Sequence, residues 1–181
     1  VAHADYLVAC GKASKAVALL RDLESANAGL LDTSAASKAP QASYLRAWMQ
    51  WLLEGDPRGG AETLMGHVVR HPDDLLAMKR AQLLAFIDGD AELMLAAVSH
   101  PDVLRANTGR PYFHGLRAFA LEQCGRLEEA EAEGRRGTEV CSGDSWSHHA
   151  VAHSLYFQCR LEECAEWMLS LSSHWDKCMS F

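Results

Sequence analysis

Gly125-Arg126-Leu127-Glu128-Glu129-Ala130 returns 34 residues further along as Cys159-Arg160-Leu161-Glu162-Glu163-Cys164. Reading backwards, Gly89 lies 36 residues before Gly125, Gly55 lies 34 before Gly89, and Gly11 lies 44 before Gly55. Each of these glycines follows one run of helical periodicity and precedes another, so each marks a turn that needs a left-handed residue. The excess before Gly55 falls in a Ser/Ala/Gly-rich stretch ending in Pro40, read as a loop insertion at 29–40. Five positions after each turn a small residue lets the second helix approach the first: Ala16, Gly60, Ala130 and Cys164, with Met94 breaking the pattern. Seven positions before the turn stand Ala118 and Ala152, but Trp48 and Gln82 in the earlier copies. Pro72 closes one repeat, and Pro101 falls early.

A period of 34 residues built from two helices is the tetratricopeptide signature, because one helix pair cannot bury its apolar face without stacking on another. The expected fold is all-α, a tetratricopeptide-like helical-repeat solenoid of antiparallel helix pairs forming a single array over 1–181. Its repeat units are read at roughly 1–28, 41–72, 74–101, 111–142 and 145–176. Helices are expected over 2–9, 13–28, 41–54, 59–70, 74–88, 91–98, 111–124, 127–140, 145–158 and 161–173. Pro40 and Pro111 sit at or before helix starts, Asp144 is a candidate cap, and no alternating run suggests a strand.

The 181 residues are 49% hydrophobic, 23% charged and 8% aromatic, an ordinary composition for a soluble globular chain. Seventeen basic against 24 acidic residues leave a formal charge of −7, which argues against a nucleic-acid footprint. No apolar run reaches the ~20 residues of a membrane-spanning helix, so no membrane insertion is expected. Val1-Ala2-His3 offers neither an initiator Met nor a leader, and the whole reads as a fragment of a longer chain. The six cysteines, Cys10, Cys124, Cys141, Cys159, Cys164 and Cys178, include no C-x-x-C spacing. Cys124, Cys159 and Cys164 fall at packing positions, so reduced core thiols in a cytoplasmic, reducing compartment are expected. No cofactor is expected.

The first helix of each pair should line a concave groove at thirteen, ten, six and three residues before the turn. These positions hold Ala42, Leu45, Met49 and Leu52; then Leu76, Lys79, Leu83 and Phe86; then Tyr112, Gly115, Phe119 and Glu122; and last Trp146, His149, His153 and Tyr156. Most are apolar or aromatic, and Lys79 is the lone strong cation, which excludes a carboxylate clamp. So apolar a groove expects a cover: a protein or peptide partner, or the remainder of its own chain. Phe119, Trp146 and Tyr156 are accordingly expected to be largely buried or to border a large pocket. The acidic run Glu128-Glu129-Ala130-Glu131-Ala132-Glu133 reads as a solvated face.

His149 and His153 stand one helical turn apart in Trp146-Ser147-His148-His149-Ala150-Val151-Ala152-His153, a spacing able to share one metal ion. No motif completes that site, although Glu122 is a candidate third ligand by register. The simpler reading is two hydrogen-bonded histidines packed among aromatic rings. No nucleophile elbow, P-loop or dinucleotide fingerprint is present.

Three stretches, Arg70-His71-Pro72-Asp73-Asp74-Leu75-Leu76-Ala77-Met78-Lys79, Gly115 to Ala130, and Asp144 to His153, resemble the tetratricopeptide repeat protein 38 family. Within the last, Trp146, His149, Val151, Ala152 and His153 match the family's Trp-Ser-x-His-x-Val-Ala-His pattern; the insertion at 29–40 and Ser154 depart from it. The resemblance implies a soluble, largely cytosolic helical-repeat protein with no established reaction. It also implies further chain before this stretch and a His- and Trp-rich segment after His174-Trp175-Asp176. The reading reached is a protein-interaction scaffold, more plausibly not an enzyme. An enzyme or metal site at His149 and His153, and a small-molecule sensor using the groove, are the alternatives.

Overall fold

A computed structural model describes residues 2–26 and 40–177. Among them the regular elements are all helical and no strand occurs. They run α1 (Ala2–Ala9), α2 (Ala13–Ala26), α3 (Pro40–Leu52), α4 (Pro57–Arg70), α5 (Leu75–Asp88), α6 (Ala91–Ser99), α7 (Pro101–Asn107), α8 (Phe113–Gln123), α9 (Leu127–Val140), α10 (Ser145–Phe157) and α11 (Leu161–Leu171). A 3-10 turn over Ser172–Lys177 follows. Neighbours in sequence pack on one another, α3 on α4 and α4 on α5, α8 on α9, α9 on α10 and α10 on α11, and α8 also packs on α10. In α8 and α10 that is the tetratricopeptide-like arrangement, each lying against its own partner helix and against the other. Two compact units are formed, Val1–Asp90 and Ala91–Phe181. The insertion read at 29–40 lies outside the described residues as far as Pro40, where α3 begins. No helix among the described residues is long and apolar enough to cross a membrane.

Helix starts follow their caps. Asp56 accepts the Gly59 amide at 2.8 Å ahead of Pro57, Asp74 accepts the Ala77 amide at 3.0 Å, and Asp144 accepts those of Trp146 and Ser147. The helix at Pro101 was not expected: this proline sits in the first turn of α7, where its missing N–H costs nothing, and does not end a repeat.

The four turn glycines, Gly11, Gly55, Gly89 and Gly125, have φ of 67°, 69°, 82° and 71°. Cys159 holds the fifth such position at φ 59° and is exposed. It is therefore a glycine substitute at a turn and not the packing thiol expected of it. Cys10 is exposed as well, whereas Cys124 and Cys164 are half-buried and point their thiols at the carbonyls of Ala91 and Ala152. The five described cysteines are free, and Cys178 lies outside the described residues. A left-handed conformation costs a side-chain-bearing residue about 1 kcal/mol. Cys159→Gly is thus expected to raise stability by about that amount and Gly125→Cys to lower it, both measurable by urea unfolding. A destabilised Cys159→Gly protein would contradict the assignment.

The turn at Gly55 is one residue longer than its counterparts on the side of α3. Its closing bond runs from the Asp56 amide to the Gln50 carbonyl, six residues back, whereas Asp90, Arg126 and Arg160 each reach back five. At the last pair Cys164 lies over the carbonyl of Ala152, twelve residues earlier. At α3–α4 a Cβ on Gly60 would meet the carbonyl of Ala47, thirteen earlier, at 2.8 Å. The small residue of α3 is therefore Ala47, 1% exposed, and Trp48 is not an interruption of the pattern. Leu45 and Met49, expected in the groove, are displaced by the same step. They lie in the core with Ala4, Leu7, Ala16 and Leu20.

Candidate interaction face

In the Ala91–Phe181 unit the face is built on α8 and α10. Their close approach is set at the start of α10, where Asp144 caps the helix and takes the Ser147 hydroxyl at 2.7 Å. Gly115 leaves the room for that cap, since a Cβ there would stand 2.6 Å from Asp144 Oδ2 and 2.8 Å from the Ser147 amide nitrogen. With the helices this close, side chains at repeat-equivalent positions meet. Phe119 packs on Trp146 with ring centroids 5.0 Å apart, and both edge onto His149 at 5.8 and 5.6 Å. His149 stacks on His153 at 4.1 Å, and His153 meets Phe157 at 6.0 Å, which in turn meets Tyr156 at 5.7 Å. Phe157 is the member that the groove register missed; as the final residue of α10 it could have been found from its i+4 spacing to His153.

Burial grades across this cluster. Phe119 is buried, Trp146, His149 and His153 are half-buried, and Tyr156 and Phe157 are 60% and 59% exposed. The expected cover therefore reaches Phe119 and fails at Tyr156. Both exposed rings lie in the last turn of α10. Tyr112, expected on the helix, instead precedes α8 at φ 69° and is 56% exposed.

Glu122 ends the face at its α8 side. Its side chain is 3% exposed; one oxygen accepts from the Gln123 amide at 2.7 Å, and the other lies 3.4 Å from His153 Nδ1. That nitrogen is buried without an aligned hydrogen bond. Glu122, His149 and His153 do come together as the register expects. Yet among the described residues no three His, Cys, Asp or Glu side chains are arranged to hold a metal ion. The arrangement brings ring faces and a buried carboxylate together.

A second carboxylate of this unit is also buried. Glu133, 6% exposed, takes His114 Nδ1 at 2.7 Å and Arg117 at 2.7 Å, so it is not part of a solvated face as expected. Glu128 and Glu129 are exposed, and Glu131 is half-buried against Arg135 and Arg160. Both ring nitrogens of His114 face acceptors, Glu133 and the Thr108 carbonyl at 2.7 Å, which only the charged imidazolium satisfies. The bond to Glu133 accordingly raises the His114 pKa against the opposing effect of burial. For Glu133 burial pushes upward, but His114 and Arg117 outweigh it and the pKa is lowered. His148, one repeat on, is the opposite case. Its Nε2 donates to the Ser142 carbonyl at 2.9 Å and its Nδ1 accepts from Trp175 at 3.3 Å, so the neutral ring is satisfied and burial lowers its pKa.

In the Val1–Asp90 unit, Lys79 and Leu83 are half-buried on α5 and Phe86 is 48% exposed. With the longer turn counted, the groove register of α3 falls on Tyr44, Trp48 and Trp51, of which Trp48 is buried in the core with Leu45 and Met49. The two indoles pack at 5.0 Å, and Tyr44 donates to the Asp74 carboxylate at 2.8 Å. These three aromatics were missed because the glycine spacing hides which side of the turn holds the extra residue.

No protein-family model matches the chain. No curated protein matches it either. Solved structures do. MamA MSR-1 C2 is 16% identical with a TM-score of 0.60, over 98% of this chain and 95% of that one. MamA 41-end from Desulfovibrio magneticus RS-1 is 12% identical with a TM-score of 0.62, over 98% and 93%. A crystal structure of MamA protein is 10% identical with a TM-score of 0.59, over the same shares. At these identities the likeness shows the fold alone, and the fold is a tetratricopeptide-like helical repeat.

Proposed function

We propose that this chain is a protein-interaction scaffold and that the α8–α10 face is its working surface. The observation that carries this reading is the exposure of Tyr156 and Phe157 at one end of an otherwise packed aromatic cluster. Soluble proteins seldom leave contiguous large apolar groups in water without a use for them. Lys79, Leu83 and Phe86 on α5 form a comparable strip in the other unit and serve the same role. The partner is a protein or peptide segment, and a further part of the same polypeptide would satisfy the same surface. The free cysteines fit a reducing compartment. The narrower likeness to the tetratricopeptide repeat protein 38 family belongs to this proposal, and it rests on Trp146 to His153.

Panning a displayed random-peptide library on the chain tests the reading. Tyr156→Ala and Phe157→Ala truncate exposed rings and leave helix content unchanged by circular dichroism. Enriched peptides are expected to lose about tenfold or more in affinity for either variant, since a buried aromatic anchor carries more than about 1 kcal/mol. Peptides indifferent to both substitutions would place the working surface elsewhere, and a library that yields none would end the proposal.

A further inference from the structure

The two buried glutamates of the Ala91–Phe181 unit differ in one respect. Glu133 is closed inside the protein with Arg117 and His114 as its counter-charges. Glu122 is equally buried, 6% exposed, yet among the described residues neither Lys nor Arg pairs with it. Its contacts are a neutral amide from Gln123 and an imidazole 3.4 Å away that is not aligned to donate. A buried carboxylate without a cation is costly, and a protein that keeps one at a binding face has a use for the charge. The rings beside it are of the kind that attract cations. Trp146, half-buried, and Tyr156, 60% exposed, carry negative π-faces, and a Lys or Arg head within about 6 Å of such a face is held by it. None of the eight groove positions on α8 and α10 is Lys or Arg.

We propose that the α8–α10 face receives a cationic side chain of its partner, a Lys or Arg flanked by apolar residues, with Glu122 as the counter-charge. This rests on the interaction reading above and narrows its partner to a basic-apolar peptide segment. The apolar flanks cover Tyr156 and Phe157, and the cation lies over the rings toward Glu122 Oε1, the oxygen that Gln123 does not take. The chemistry is the reverse of a carboxylate clamp, where a basic face would hold a peptide's terminal acid.

Four sublibraries of capped octapeptides test it, identical in randomised Leu, Phe, Ala and Ser flanks and carrying Arg, Lys, Gln or Glu at a central position. Affinity is read by fluorescence polarisation on the whole chain. The Arg and Lys sublibraries are expected to bind about tenfold more tightly than the Gln one, equivalent to about 1.4 kcal/mol. Glu122→Gln is expected to remove most of that preference and leave binding of the Gln sublibrary unchanged. Raising salt from about 0.05 to about 0.5 M should narrow the Arg-to-Gln gap less than it would for an exposed pair. Equal binding of all four sublibraries that still depends on Tyr156 would overturn the charge assignment and leave the interaction reading standing. Absence of any binding that depends on Tyr156 or Phe157 would overturn both. Should Glu122→Gln unfold, the Arg-to-Gln difference on the unaltered protein decides alone.

Discussion

Glu133→Gln is expected to lower stability by about 3 kcal/mol, the low end for removing one partner of a buried ion pair, because Arg117 keeps 25% of its side chain in water. For a chain of this length that shifts the melting temperature by roughly 6–12 °C. The substitution keeps the shape and removes the charge to which His114 and Arg117 both turn. It should also change the pH dependence. His114 has its folded pKa raised above the ordinary 6.5, so its contribution is complete below that value and fades as pH rises through the raised one. Glu133 has its folded pKa lowered below 4.5, so its contribution is complete above that value and fades as pH falls. The pair therefore stabilises most between about pH 4.5 and 6.5. His148 acts the other way: its lowered pKa supplies stability above 6.5 that is lost on acidification. Imidazole titration by NMR separates the two. His114 should titrate above 6.5 in the unaltered protein and move down in Glu133→Gln, where burial remains and the carboxylate is gone, while His148 stays in place. A His114 that titrates below 6.5 in the unaltered protein would refute the doubly donating ring.

The buried charge could not be read from the chain because helical periodicity on α9 does not distinguish Glu131 from Glu133. Both stand directly between small residues, Glu131 between Ala130 and Ala132 and Glu133 between Ala132 and Gly134, and it is the contact of Glu133 with His114 that separates them. The repeat itself was legible because every turn needs a left-handed residue, and glycine is the residue that takes that conformation without strain. The same signal misled at Gly55. The glycine marks the turn but not how many residues precede it, so one extra residue shifts the register of α3 onto Tyr44, Trp48 and Trp51, while Leu45 and Met49 lie in the core together with Trp48 itself. The face on α8 and α10 was legible where the spacing was regular. Phe119, Trp146, His149 and His153 meet as the register requires, and Glu122 reaches His153 across the helix pair.

Gly115→Ala is expected to carry the next largest effect and to couple stability to binding. A Cβ at Gly115 would press on both oxygens of Asp144 and on the Ser147 amide, the three atoms that make the α10 cap. Forcing a methyl group into packed space costs about 1–3 kcal/mol. Displacing the cap adds about 1 kcal/mol, and the better helix propensity of alanine returns about 1 kcal/mol. The net loss is about 2 kcal/mol, measured by urea unfolding. Gly137→Ala should fall close behind, because its Cβ would overlap the Ser147 hydroxyl and lie 3.1 Å from the Cβ of His114. Gly66→Ala is the control: inside α4 the nearest atom to its Cβ is Arg70 Nη1 at 3.8 Å, so only the propensity gain applies and stability should hold or rise. The three together separate crowding from a general intolerance of glycine replacement. A shifted cap also moves Trp146, the second residue of α10, so Gly115→Ala should weaken the peptides that depend on Tyr156 while Gly66→Ala leaves them unchanged. If Gly115→Ala proved as stable as Gly66→Ala, the close approach of α8 to the α10 cap would be wrong, and with it the geometry that brings Phe119, Trp146 and His149 together.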